Sequence, residues 1–244
     1  MPPRSQHILL RGAHNFRDLG GYPAGDHQVR WGRLYRSDAL HLLTVDDVIT
    51  LRDLGLRWIV DLRPPGEAAS TGRGRMAAEP VGYLNLSASH DDERRPDAPP
   101  DGDELVERYL SYLDAGGAGF AGALHHMADA DHYPMVFHCF FGKDRSGVLA
   151  ALVLGCLGVD RQAIVDDYAL SNIAMGSLLA SLATDPVYRD TIERTPPSRL
   201  AASATTMERF LQRVEARYGG MAGWAQRAGI PSSEIQTLRR LLLE

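Results

Sequence analysis

Short apolar runs alternate with amphipathic stretches through the first half of the chain, and helical periodicity dominates the second half. Val29–Arg36 alternates in part and predicts a strand. Thr44–Leu54 predicts a capped helix, with Asp46 and Asp47 in its first turn and Gly55 as its stop. Arg57–Leu62 and Val81–Leu86 predict further strands, and Glu104–Asp114 and Phe120–Ala130 predict helices separated by the breaker Gly116-Gly117. The most ordered pattern is Pro134–His138 as a buried strand, a tight polar loop from Cys139, and an apolar helix over Ser146–Leu157 closed by Gly158. Strand, loop and buried helix form the crossover unit of an α/β sheet. Helices are predicted over Asp160–Leu170, Ser171–Ala183, Ala204–Tyr218, Met221–Ala228 and Ser233–Leu243, the last opening with a capping box of Ser233 and Gln236. Thr184–Ala202, with three prolines, reads as irregular. No repeat or linker divides the chain. The expected fold is a single α/β domain over residues 1–244, a short twisted sheet with a parallel centre flanked by helices. The polar loop lies at the carboxyl end of the strand that ends at His138.

Composition changes this picture in three places. Ser87–Asp103 is rich in proline and charge, and Asp91–Glu104 holds seven acids against two arginines, so residues 87–103 read as a mobile acidic loop. The net charge of −5 argues against nucleic-acid binding through a broad basic surface. Any anionic ligand must therefore be held locally. Arginine supplies 25 of the 26 basic residues, which singles out the lone lysine, Lys143. Two cysteines, Cys139 and Cys156, are too few for a disulfide framework and suit a reducing compartment. No run is long enough for a membrane span, and Met1–Leu10 lacks the features of a signal peptide. The expected address is the cytoplasm, with secretion lacking a recognisable signal left open.

Candidate chemistry concentrates in His138-Cys-Phe-Phe-Gly-Lys-Asp-Arg-Ser-Gly147. A thiol ends a strand, and six positions on an arginine begins a helix. Successive amides of such a loop turn inward and, with the helix dipole, form an anion cradle that suits phosphate and favours thiolate over thiol. Cys139 is the candidate nucleophile. Arg145 offers a planar fork for two phosphoryl oxygens, and Gly142 lets the backbone turn without crowding the ligand. Phe140, Phe141, Gly142, Lys143, Asp144 and Arg145 complete the candidate phosphate-binding loop. Phe140 and Phe141 either line its entrance or pack beneath it.

This loop resembles the protein tyrosine phosphatase signature, and Gly-Lys-Asp-Arg-Ser-Gly resembles the bacterial branch that includes the mycobacterial PtpB-type enzymes. Asn15-Phe-Arg-Asp-Leu-Gly-Gly21, Tyr35-Arg-Ser-Asp38, Asp61-Leu-Arg63 with Glu67, and Asp167-Tyr168 with Ser171-Asn172 are similar to further motifs of that branch, in order. The resemblance implies a cysteine-dependent tyrosine phosphatase fold and a two-step hydrolysis. The Cys139 thiolate attacks phosphorus, and water then cleaves the phosphocysteine, with no metal or cofactor. Ser146 would hydrogen-bond the sulfur, or else merely cap the helix. Asp144 is the first candidate for general acid, because a carboxyl beside a bound dianion holds its proton more readily. Asp61, at a strand end, is the alternative. The resemblance also lets Lys143 serve lipid substrates, against the plainer reading of a solvated side chain.

The remaining candidates are supporting groups. Arg17 or Asp18 either touches substrate or braces the loop, or the two simply pair locally beside a Gly20-Gly21 turn. Arg36, Arg63 and Glu67 read as braces, and His138 as a hydrogen-bond donor to backbone around the loop. His125, His126, His132 and His138 fit no ordinary zinc spacing, and zinc on Cys139 would consume the nucleophile. Cys156 reads as a core thiol. The partners expected are a phosphorylated protein or phospholipid substrate. Phosphotyrosine hydrolysis is the leading reading, with dual-specificity or phosphoinositide hydrolysis as its alternative. A silent phosphate-binding module, or a sulfur-transfer or arsenate-reducing enzyme, are rivals from other classes.

Overall fold

The structure, a computed structural model, describes residues 6–88, 102–114, 117–183 and 200–244. Most of the acidic stretch 87–103 and of the irregular stretch 184–202 lies outside the described residues. A five-stranded sheet is built from β1 (Arg17–Asp18), β4 (Leu34–Ser37), β5 (Trp58–Asp61), β6 (Gly82–Asn85) and β7 (Met135–His138), in the order β1-β4-β7-β5-β6. β4, β7, β5 and β6 run parallel, and β1 joins the edge antiparallel to β4. A separate hairpin pairs β2 (Pro23–Ala24) with β3 (His27–Gln28).

The parallel centre places β7 between two neighbours, and all four of its residues are buried. Strand alternation sends Met135 and Phe137 to one face and Val136 to the other. The first face packs on α3 (Gly102–Asp114), α4 (Gly117–Met127), α5 (Asp144–Leu157), α6 (Arg161–Ala169) and the C-terminal helices α8 (Ala204–Tyr218), α9 (Met221–Arg227) and α10 (Ser232–Leu242). The second face is closed by α1 (Val45–Asp53) and the N-terminal segment through Leu10, Ala13, Phe16, Val48 and Leu51. Helix α7 (Ser171–Leu182) carries a third, smaller cluster.

Where elements depart from the sequence expectation, the cause is local. The strand predicted over Val29–Arg36 shrinks to Leu34–Ser37, because Val29 bridges Leu243 instead. Helix α1 opens on the Thr44 and Asp47 capping box, its side chain and backbone exchanging hydrogen bonds. Helix α10 begins one residue earlier than expected, with Pro231 as N-cap and no side-chain cap, so Ser233 lies inside the first turn and forms no capping box. Helix α5 likewise begins at Asp144, which puts Ser146 at its third position and removes the helix-cap reading of that residue. Helix α2 (Pro65–Thr71), with proline at its first position, was not anticipated.

Candidate active site

The loop between β7 and α5 is held from outside by its carbonyl oxygens. The Cys139 carbonyl accepts from Nδ1 of His138 at 3.0 Å, that of Phe140 from the Ala39 amide at 2.9 Å, that of Phe141 from Asn15 Nδ2 at 3.2 Å, and that of Gly142 from Arg36 Nη2 at 2.7 Å. In a trans peptide, C=O and N–H point in opposite directions. Four carbonyls tied outward therefore leave the following four amides directed inward, toward the start of α5. Amides directed in this way can receive an anion. Gly142 sits at φ +69°, and a Cβ there would lie 2.5 Å from the Asp38 amide nitrogen and 2.6 Å from the Ser37 carbonyl carbon. Both the backbone conformation and the close approach to β4 require glycine.

Cys139 is buried at the strand end, and Arg145 stands at the second position of α5 with 8% of its surface exposed. Glu67 of α2 holds both terminal nitrogens of Arg145 at 3.1–3.2 Å. Burial alone would weaken the base, but the Cys139 sulfur and Glu67 carry Arg145 further above its usual range. Helix α2, which carries Glu67, is tied to the sheet by Arg63. The Arg63 guanidinium grips Asp61 at 2.9 Å and 2.6 Å and reaches Thr71 Oγ1 at 2.5 Å and the Gly72 carbonyl at 3.2 Å, tying the end of β5 to the end of α2.

Beneath the loop, register explains a second set of charges. Arg17 lies opposite Arg36 on adjacent strands, so both reach the helix-covered face and converge on Asp167 of α6. Arg17 Nε donates to Asp167 at 2.9 Å and Arg36 Nη1 at 2.5 Å, with all three side chains buried. Burial would raise the Asp167 carboxyl, yet the two guanidiniums hold it down to about 2. Burial, with Arg17 beside it, lowers Arg36 to about 10. Arg17 also donates from Nη1 to the Asn15 carbonyl at 3.4 Å. Asp18 accepts from the amides of Gly20 at 2.8 Å and Gly32 at 2.7 Å.

The two candidate acids occupy different surroundings. Asp61 has a fully buried side chain and accepts from Arg63 and from the Tyr83 hydroxyl at 2.8 Å; burial would raise it, but His138 and Arg63 hold it down to about 2. Asp144 keeps 24% of its side chain exposed, lies 3.2 Å from Lys143 Nζ and accepts from the Tyr109 hydroxyl. Lys143 is not solvated as one reading expected. Its side chain is 1% exposed, and Nζ also donates to the Ala201 carbonyl at 3.3 Å. Among the described residues Ser146 Oγ, in the first turn of α5, is buried with no hydrogen-bond partner. Phe140 and Phe141 pack on Met175, Leu178 and Leu182 of α7, joining the loop to that helix. Burial lowers His138 while Asp61 pulls it the other way, and burial pushes the Cys156 thiol up to about 11, as befits a core thiol. Among the described residues no group of three metal-ligating side chains comes together, and no helix is long and apolar enough to cross a membrane.

Sequence reasoning missed Tyr109 and the α2 placement of Glu67, and it did not single out Asp167 as the partner of Arg17 and Arg36. Each depends on contacts spanning 35 to 150 residues, which local patterning does not register.

Comparison with known proteins supplies the family. A model of the tyrosine phosphatase family matches residues 8–244. The triple specificity protein phosphatase PtpB of Mycobacterium tuberculosis is 30% identical over 275 aligned positions, covering 96% of this chain and 98% of that protein. A tyrosine-protein phosphatase of Nostoc commune is 27% identical, covering 84% of this chain and 72% of its own length. The crystal structure of TpbA from P. aeruginosa matches with a TM-score of 0.34 and 21% identity, covering 61% of this chain and 74% of that one. With a family model spanning the chain from Ile8 to its last residue, and the strand, cradle, thiol and guanidinium in one loop, the chain belongs to the tyrosine phosphatase family.

Proposed function

We propose that the chain hydrolyses phosphate monoesters through a phosphocysteine on Cys139, with phosphotyrosine as its main substrate. The observation that carries this reading is the placement of Cys139 at the floor of a cradle whose carbonyls are all tied outward, with Arg145 fixed beside it by Glu67. The Cys139 thiolate attacks phosphorus, the P–O bond to the leaving group breaks, and its electron pair leaves with the ester oxygen. Arg145 and the loop amides take up charge on the equatorial oxygens. The buried Ser146 hydroxyl, which makes no hydrogen bond among the described residues, the Cys139 sulfur included, is free to turn to the sulfur when water displaces it in the second step. Arg17, Arg36, Asp18 and Arg63 act as braces rather than substrate ligands, each being buried and engaged with protein groups.

Asp144 is the general acid in this reading. It is partly exposed at the mouth of the cradle, whereas Asp61 is buried, ionised and occupied by Arg63 and Tyr83. Asp144→Asn is expected to lower kcat for an unactivated ester such as phenyl phosphate about 10²–10³-fold and to remove the basic limb of its pH profile, while sparing a nitrophenyl ester. Asp61→Asn should keep the basic limb. The reverse pattern would transfer the role to Asp61.

Phosphotyrosine is favoured over phosphoinositides because Lys143, the residue that suggested lipid substrates, is buried and committed to Ala201 and Asp144. PtpB of Mycobacterium tuberculosis carries the description triple specificity, which makes phosphoserine and phosphothreonine peptides and phosphoinositides the comparison set. A panel of these with phosphotyrosine peptides decides preference. Higher kcat/KM on the lipids, lost selectively in Lys143→Ala, would reverse it. Both cysteines are free thiols, and the cytoplasm, a reducing compartment, is the working address.

A further inference from the structure

We propose that Tyr109 is a positioning residue that holds Oδ1 of Asp144, so that the acid proton resides on Oδ2 and is directed at the leaving group. This rests on the reading of Asp144 as general acid. Tyr109 projects from α3 and its hydroxyl meets Asp144 Oδ1; Lys143 Nζ approaches the same oxygen at 3.2 Å. A phenol has one proton to donate, and a carboxylate can only accept. The Tyr109 proton therefore points at Asp144, and its lone pairs face the Tyr168 hydroxyl at 2.7 Å, which donates into them. The result is a directed chain, Tyr168 to Tyr109 to Asp144. It delivers donor character to one carboxyl oxygen and leaves the other for the proton.

The chain is rigidly seated. The Tyr109 ring meets Phe210 of α8 edge-on, with centroids 5.7 Å apart, and meets Tyr168 edge-on at 6.2 Å. The Tyr168 ring fits only because position 147 is glycine. A Cβ there would lie 2.9 Å and 3.1 Å from two of its ring carbons. Burial and the nearby Asp144 carboxylate push both phenols above their usual range, so both remain protonated donors. Among the described residues, Lys143 in the loop, Tyr109 on α3 and Tyr168 on α6 face Asp144, while Tyr112 on α3 and Arg36 on β4 face Tyr168. In the chemical step the Oδ2 proton passes to the ester oxygen as its bond to phosphorus breaks and the sulfur–phosphorus bond forms. The carboxylate charge that results is met at Oδ1 by donors already in place.

The test compares kcat–pH profiles of wild type, Tyr109→Phe, Tyr168→Phe and Asp144→Asn on phenyl phosphate and nitrophenyl phosphate. Removing a donor to the carboxylate makes it hold its proton more tightly and frees it to rotate. Tyr109→Phe is expected to lower kcat on phenyl phosphate about tenfold with KM unchanged, and to move the basic limb up by about half to one pH unit. The nitrophenyl ester, which needs little acid assistance, should change less than about twofold. Tyr168→Phe should move the limb in the same direction by less. A merely structural tyrosine would slow both esters alike and leave the limb in place. If Asp144→Asn flattens the limb while both phenylalanine variants keep the wild-type limb and leaving-group dependence, the positioning role is overturned and the acid assignment stands. If Asp144→Asn keeps the limb, the acid assignment itself falls and this inference with it. Should Tyr109→Phe not fold, a wild-type profile in Tyr168→Phe overturns the proposal alone.

Discussion

Cys139→Ser is expected to lose phosphatase turnover by at least about 10⁴-fold while still binding tungstate, because the nucleophile and the cradle are separate constructions. A serine hydroxyl nearly matches the thiol in shape but stays protonated and attacks poorly. The cradle is fixed by groups outside the sulfur: Asn15, Arg36, Ala39 and His138 hold its carbonyls, and Glu67 holds Arg145. Initial rates on an aryl phosphate and calorimetric titration with tungstate read the two halves. Turnover within about tenfold of wild type would remove Cys139 from the reaction. Lost tungstate binding would show that the cradle depends on the sulfur.

Asp167→Asn is expected to destabilise the fold by about 3–5 kcal/mol, since it leaves two buried guanidiniums facing each other with no counter-charge. Arg17 and Arg36 have no route to water, and Arg36 is already weakened by its neighbour. Urea denaturation at neutral pH measures the loss. A pH series gives the sign independently. A carboxyl held at about 2 when folded, against about 3.9 when unfolded, contributes stability that is fully present above pH 4 and is lost as pH falls toward 2. Wild type should therefore weaken over that window more steeply than the asparagine variant. Activity should fall as well, because Arg36 also carries the Gly142 carbonyl. Destabilisation below about 1 kcal/mol would mean that water or another group already neutralises the pair.

How much of this was legible in sequence depends on how local the cause is. The β7–loop–α5 unit was legible because an apolar strand, a glycine turn and an apolar helix follow one another within 24 residues, and the thiol and guanidinium sit inside that unit. The parallel strands β5 and β6 and the Thr44 cap were legible for the same reason. Strands β1 to β3 have two residues each, too few for any period to emerge. Helix α2 hid behind Pro64-Pro65-Gly66, which reads as a turn although proline suits a first helical position. Lys143 offered two readings, a solvated side chain or a charge beside phosphate. The structure buries it between Asp144, its chain neighbour, and the carbonyl of Ala201, 58 residues away, a contact that local patterning does not register. Asp167 was noticed only as part of a motif; its purpose required knowing that Arg17 and Arg36 share a register.

In the proposed reaction, phosphorus is transferred to the sulfur of Cys139 before it reaches water. Rapid acid quenching of the wild-type protein during turnover of a nitrophenyl phosphate, followed by peptide mass analysis, tests it most directly. One added phosphoryl group is expected on the peptide containing Cys139, accumulating further in Ser146→Ala as the second step slows. A phosphoryl group on any other residue, or product formed with no phosphorylated peptide in either protein at any quench time, would contradict it.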